Sequence, residues 1–225
     1  MKSDYLGILS SIKQDIERYE ISHINKPSLI IVTKSQSNKD IEKVVEAGNK
    51  CLGENYVDEA IKKIDFFKKR SLEWHFIGQI QSNKIKKISK YFDWVQTISS
   101  IKHAKLLNQA CEGLSKKMNI CIQVNIDREQ SKSGILVEDL DNLIVNILPL
   151  NNLILRGLMA IPSKINALKE NINSYKILRA EYDRLSSKYI HMDTLSIGMS
   201  NDYKLALDNG SNMIRIGTLI FGNRK

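Results

Sequence analysis

The chain has 225 residues, 42% hydrophobic and 26% charged, which is ordinary globular usage and enough for one sizeable core. No apolar run approaches the roughly 20 residues of a membrane helix, and the N-terminal stretch MKSDYLGILSSIKQDIERYE lacks the apolar segment of a signal peptide. The formal net charge of +9 is carried by lysines scattered among apolar positions, as in Ile61-Lys62-Lys63 and Lys84-Ile85-Lys86-Lys87, and reads as solvated helix faces rather than a nucleic-acid surface.

The opening segment places Tyr5, Ile8, Leu9, Ile12, Ile16 and Tyr19 at three- and four-residue spacing, an amphipathic helix with one buried face. Leu29-Ile30-Ile31-Val32 then reads as a strand buried on both faces, predicted over 29–34 and ending on Lys34. Ser37 with Asp40 has the pattern of a capping box opening the next helix. Further strands are predicted over 50–55, 74–78, 93–98, 119–126, 154–161, 194–198 and 213–217, with helical patterns between them. Between the sixth and seventh strands, Ile165, Leu168, Ile172, Tyr175, Leu178, Tyr182, Leu185 and Tyr189 share one helical face over 165–189. Helix stops are expected at Asp208-Asn209-Gly210, and also at Gly48 and Gly113. The widely spaced Cys51, Cys111 and Cys121 form no CxxC pair and suggest neither a disulfide framework nor a zinc centre.

Eight strand-then-helix units predict the α/β class, as a single (β/α)8 barrel of the TIM type with an extra N-terminal helix, one domain over residues 1–225. A doubly wound open sheet is the alternative, but no glycine fingerprint follows the first strand. The expected protein is cytoplasmic and monomeric, with no nucleic-acid or membrane partner. In such a barrel the C-terminal strand ends carry the chemistry.

Two of those ends supply a glycine and a hydroxyl next to a helical pattern: Gly198-Met199-Ser200 after strand seven and Gly217-Thr218 after strand eight. These are the loops where barrels of this type often hold a phosphate, although the same residue types serve as ordinary turn and cap residues. Lys34 at a barrel mouth is suited to a Schiff base with an aldehyde. A phosphorylated aldehyde, pyridoxal 5′-phosphate (PLP), would use both features. Arg215, two residues before Gly217 and on the same face, suits the pyridine nitrogen of that cofactor or a plain strand-end salt bridge.

The blocks GENYVDEA (53–60), EWHFIGQIQSNK (73–84), QVNIDREQSKSG (123–134), RGLMAIP (156–162), LSIGMSND (195–202) and MIRIGTLIFGNR (213–224) resemble the pyridoxal phosphate homeostasis protein family, barrels similar to the N-terminal domain of alanine racemase. The resemblance runs in order from about residue 28 to 224. It implies that Lys34 carries PLP as a Schiff base, that Ser200, Gly217 and Thr218 bind the phosphate, and that Arg215 faces the pyridine nitrogen. It also places Asn55, His75 and Met159 in blocks lining the mouth, whereas His75 read by itself is a hydrogen-bonded core histidine. His23, His103 and His191 read as structural or surface residues. The family usually continues after its cofactor lysine with a second lysine and a proline. Here Ser35-Gln36-Ser37 stands in that place, and Gln36 cannot form a Schiff base. Lys84 and Lys132 are candidate cations near the mouth, or solvated side chains.

The implied function is binding, buffering and delivery of PLP to recipient PLP-dependent enzymes, without enzymatic turnover. The alternative is a low-activity amino-acid racemase. Racemisation needs a proton donor or acceptor on each face of the reacting carbon. Racemases of the similar fold take the second group, a tyrosine, from a further β-domain, which is not expected in a sequence that stops at Lys225 after the eighth unit. A cofactor-free barrel enzyme acting on a phosphorylated sugar would leave Lys34 and Arg215 unexplained as a pair.

Overall fold

Successive strand residues face opposite sides, so a strand enclosed by a barrel on one side and helices on the other must be apolar or internally paired throughout. That rule shapes the computed structural model, which describes residues 5–20, 27–163 and 172–222. Eight parallel strands follow one another around a closed barrel: β1 (Ser28–Val32), β2 (Cys51–Glu54), β3 (Glu73–Phe76), β4 (Trp94–Ile98), β5 (Met118–Val124), β6 (Leu153–Ala160), β7 (Thr194–Ser196) and β8 (Met213–Ile216). β8 closes on β1 with Ile214 opposite Leu29 and Ile216 opposite Ile31. Ile30 joins Trp94, Cys121, Met159 and Met213 in a cluster inside the barrel, while its neighbour Ile31 belongs to the larger core shared with the helices.

The helices are α1 (Tyr5–Glu20), α2 (Asn38–Glu46), α3 (Val57–Phe66), α4 (Ile85–Tyr91), α5 (Ile101–Glu112), α6 (Leu140–Ile147), α7 (Asn173–Ser186), α8 (Tyr203–Asp208) and α9 (Thr218–Phe221). Ser37 caps α2, accepting from the Asp40 N–H at 3.2 Å and returning its hydroxyl to the Asp40 carboxylate at 2.7 Å. All eight predicted strands are present, and most end a residue or two sooner than the apolar pattern suggests. β1 stops at Val32, which leaves Lys34 in the turn that follows. The Asp208-Asn209-Gly210 stop is observed, with Gly210 in the left-handed region at φ 84°. Gly113 behaves differently: it stays right-handed and Ser115, at φ 49°, takes the left-handed position after α5. Of the expected 165–189 helix, Ile165 and Leu168 lie outside the described residues, as does His23; the remainder forms α7, which ends before Tyr189.

The thinnest seam is β7–β8, where only Ser196 and Met213 are register partners. Side chains replace the missing ladder. Asn212 accepts from the Leu195 N–H at 2.7 Å and donates to the Asp193 carbonyl at 2.6 Å, and Ser211 donates to the Ile197 carbonyl at 2.7 Å. Outside the barrel, α1 buries Leu9, Ile12 and Ile16 against the first and last units. It is tied there by Asp15, which accepts from the Tyr203 hydroxyl at 2.7 Å and pairs with Lys204 at 3.1 Å. Tyr19 donates to Asp208, and Lys13 donates to the Ala47 carbonyl at 2.8 Å. Burial pushes the Asp15 carboxyl up, but the bonds from Tyr203 and Lys204 and the Arg18 charge outweigh it, and the net shift is downward.

A folded-state value below the unfolded one contributes stability that is present above the unfolded carboxylate value and lost as the pH falls through the folded one. Tyr203→Phe is therefore expected to cost about 1.5–3 kcal/mol at neutral pH. Asp15→Asn is expected to lower Tm at pH 7, by an amount that shrinks as the pH falls below about 4. Thermal melts of the three proteins from pH 7 to pH 3 measure both effects; a gap between Asp15→Asn and the parent protein that persists unchanged into acid contradicts them.

Candidate functional site

β1 delivers the chain to the C-terminal end of the barrel, and Thr33, fully buried, extends its pairing through an N–H bond to the Gly53 carbonyl at 2.9 Å. The chain then turns: the Gln36 N–H returns to the Thr33 carbonyl at 3.0 Å, and Ser35 adopts φ 61°. Half-buried Lys34 occupies this turn. Beneath it lies Lys63 of α3, only 4% exposed, whose ammonium donates to the Thr33 carbonyl at 2.6 Å, to Glu54 at 2.7 Å and to Glu59 at 2.6 Å. Glu59 also accepts the Ser35 N–H at 2.5 Å, and the Thr33 hydroxyl donates to Glu54 at 2.6 Å. Burial pushes the Glu54 carboxyl up, with Lys63 and Thr33 pulling the other way.

Arg215 comes from β8 and is 3% exposed. Its guanidinium donates to the Ser196 hydroxyl at 2.5 Å and to the Ala160 carbonyl at 2.9 Å. Burial brings its value down to about 10, so it remains a cation at neutral pH. Ser196 in turn donates to the Gln96 side-chain oxygen at 2.7 Å, and the Gln96 amide lies 2.9 Å from Nδ1 of His75. His75 is fully buried and reaches Glu73 through Nε2 at 2.8 Å. Burial holds the imidazole below its ordinary value, with Glu73 opposing, so the ring is neutral at pH 7. The structure therefore places His75 three hydrogen bonds away from Arg215, deep in the barrel.

The loops after β7 and β8 meet: the Ser200 hydroxyl accepts the Leu219 N–H at 3.1 Å. Gly198 lets α8 pack close on the end of β7, since it sits at φ 103° and a Cβ there would come within 2.5 Å of the Ala206 side chain. Gly217 lies against β1, with a Cβ there falling 3.0 Å from the Val32 carbonyl, two residues before Lys34. Thr218 is exposed beside it. Lys34, Gly217, Thr218 and Ser200 thus share one side of the mouth, above Arg215.

The other side is a cavity of about 260 Å³ lined by Asn55, Gly78, Thr97, Gln123, Asn125 and Lys132, among others. Asn55 Oδ1 is buried there without a hydrogen-bond partner. Met159 is fully buried in the cluster within the barrel and forms part of the apolar floor. Of the two candidate cations, Lys84 pairs with Asp58 at 2.6 Å on the helical layer. Lys132 donates to the Ile161 and Pro162 carbonyls at 3.1 and 2.9 Å and pairs with Glu129 at 3.0 Å, against the cavity. Sequence reasoning missed Lys63, assigned to a solvated face, and also Gln96 and Ser196. A polar residue inside a strand buried on both faces is the signal that marks the last two.

The alanine racemase N-terminal domain family matches residues 9–225. The pyridoxal phosphate homeostasis protein of Pasteurella multocida (strain Pm70) is 39% identical over 224 residues, covering 96% of each chain. Among solved structures, PipY of Synechococcus elongatus PCC7942 superposes with a TM-score of 0.88 at 29% identity without PLP, and 0.86 at 28% with PLP bound, over 97% of this chain and all of that one. Alanine racemase of Clostridium difficile 630 shares the fold at 14% identity and a TM-score of 0.70, with 57% of its length covered. Matched along nearly its whole length by relatives of its own size, the chain belongs to the pyridoxal phosphate homeostasis protein family, within the alanine racemase N-terminal domain group.

Proposed function

We propose that this protein binds PLP as a Schiff base on Lys34 and serves its homeostasis in the cytoplasm, buffering the cofactor and delivering it to PLP-dependent enzymes without turnover of its own. The observation that carries this reading is the packing of Gly217 against Val32, two residues before Lys34, beside the joined Ser200 and Leu219 loops and above a buried guanidinium.

PLP supplies an electrophilic aldehyde and an electron-accepting ring. The Lys34 amine condenses with the aldehyde carbon, and the aldehyde oxygen leaves as water. Ser200 and Thr218 offer hydroxyls to the phosphate, and Gly217, whose missing side chain lets β8 pack close against Val32, offers its backbone beside them. Arg215 donates a hydrogen bond to the ring nitrogen but gives up no proton, which keeps the ring a weak electron sink and suits a carrier better than a catalyst. Met159 supports the ring from below, and the unpartnered Asn55 oxygen supplies an acceptor at the cavity edge. His75 acts through Gln96 and Ser196, fixing the guanidinium from beneath.

The carrier reading is favoured over a racemase by identity as well as electronics: a homeostasis relative matches at 39% over 96% of each chain, whereas the racemase shares the fold at 14%. Among the described residues the closed barrel leaves no strand edge for pairing, which supports a monomer. The free cysteines Cys51, Cys111 and Cys121 suit a reducing compartment.

The purified protein is expected to be yellow, and borohydride is expected to fix one cofactor on Lys34, read by absorption and peptide mass. Lys34→Ala should be colourless; covalent cofactor retained in that variant overturns the assignment. Ser200→Ala and Thr218→Val should each weaken PLP binding about tenfold to a hundredfold, the loss of one hydrogen bond to an anion, as measured by equilibrium dialysis. Racemase assays across the amino acids should show no turnover above free PLP, and a robust rate would replace the carrier by an enzyme.

A further inference from the structure

The N-terminal ends of β2 and β3, remote from Lys34, bring together three unlike donors, of which the cofactor reading uses only His75, and that through Nδ1 alone. Cys51 opens β2, Glu73 opens β3, and the two are register partners. His75 follows two residues along β3, on the same face as Glu73. A Cys51 sulfur, a Glu73 carboxylate oxygen and a His75 ring nitrogen all lie within 4.8 Å of one another, with Nε2 to Oε1 at 2.8 Å and Sγ to Oε1 at 3.5 Å.

We propose that Cys51, Glu73 and His75 bind one divalent transition-metal ion of the zinc class at the N-terminal face of the barrel. A thiolate, an imidazole and a carboxylate make a three-ligand zinc set, with water in the fourth tetrahedral position. Sulfur and nitrogen donors select against magnesium and calcium, which take oxygen ligands. The ring is already oriented: His75 stacks on Trp94, with centroids 5.2 Å apart and planes 18° from parallel, and Gln96 holds its second nitrogen. Outer partners of this kind fix ligating histidines in metal sites. Access is open as well, because the Glu73 side chain is 44% exposed and Cys51 is half-buried. The cation stacked on the same tryptophan, Arg156, is held by a two-point pair with Asp193 at 2.9 and 2.5 Å, which offsets its charge towards an incoming ion.

Loading balances with one proton released. The Cys51 S–H bond breaks, its proton passes to solvent, and the sulfur–metal bond forms in its place. The ring gives up its Nε2 proton, now shared with Glu73, and takes one up on Nδ1. Gln96 serves either arrangement: half a turn of its amide presents oxygen to Nδ1–H, and its nitrogen then donates to the Ser196 hydroxyl in place of the bond it had accepted. The N-terminal face lies away from the strand ends that carry chemistry in this fold, and the ion is a staple between β2 and β3, which stabilises by binding the folded state alone.

The test is a titration of the full chain, freed of metal by a chelator, with Co2+ followed by absorption and with Zn2+ followed by calorimetry. One equivalent of each is expected to bind, the cobalt form showing a thiolate-to-metal charge-transfer band, and Zn2+ is expected to raise Tm where Mg2+ does not. Cys51→Ser should lose the band and the Tm rise, while Cys111→Ser keeps both. The same titration in Lys34→Ala should be unchanged, so that the metal site and the PLP site stand or fall separately. Absence of a thiolate band in the parent protein, or a band that survives in folded Cys51→Ser, overturns the site.

Discussion

Lys63 reaches from α3 beneath the turn after β1 and distributes three hydrogen bonds among the Thr33 carbonyl, Glu54 and Glu59. An ammonium group in this position is costly to desolvate alone, and the arrangement persists because two carboxylates and a carbonyl surround it. Removing one partner of such a buried set typically costs about 3–5 kcal/mol, because a charge is left uncompensated. The same set orders the turn that carries Lys34. The carbonyl of the residue before Lys34 and the N–H of the residue after it are both held, one by Lys63 and the other by Glu59. The turn is therefore set from below before any ligand arrives, which is the preorganisation a binding site requires.

The barrel interior follows the same logic on a larger scale. A connected series of its polar groups runs from Arg215 through Ser196, Gln96 and His75 to Glu73, beside an apolar cluster of Ile30, Trp94, Cys121, Met159 and Met213. A buried donor left out of such a series would cost its full desolvation. The guanidinium at the mouth and the carboxylate at the opposite face are thus ends of one structure. The rigidity beneath Arg215 comes from Gln96, His75 and Glu73, which never approach the mouth.

The strands were legible because each is buried on two faces and reads as an apolar run, and the barrel followed from their number. The strand-end rule then picked out Lys34, Ser200, Arg215 and Gly217. Lys63 was not legible: Ile61-Lys62-Lys63 has the pattern of a solvated face, and two of its three partners come from elements other than α3. Ser196 and Gln96 stand 100 residues apart, so neither strand reveals that the other carries its partner. Lys84 shows the reverse case, a cation near a family motif that is spent on Asp58. Gly113 shows a third, since residue type marked the helix end while the left-handed turn fell two residues later, on Ser115.

The seam that α1 covers sets an order on folding. Asp15 and Tyr203 are 188 residues apart, and β1 finds its second neighbour only in β8. The loop that this closure fixes is among the largest the chain can make, and its entropy is recovered only when nearly every strand is in place. During synthesis the apolar face of α1, Leu9, Ile12 and Ile16, emerges long before the last units that complete its cover. A helix made before every strand of the barrel is among the last to be finished, and for that interval the nascent barrel presents a sticky, uncovered stripe to the cell.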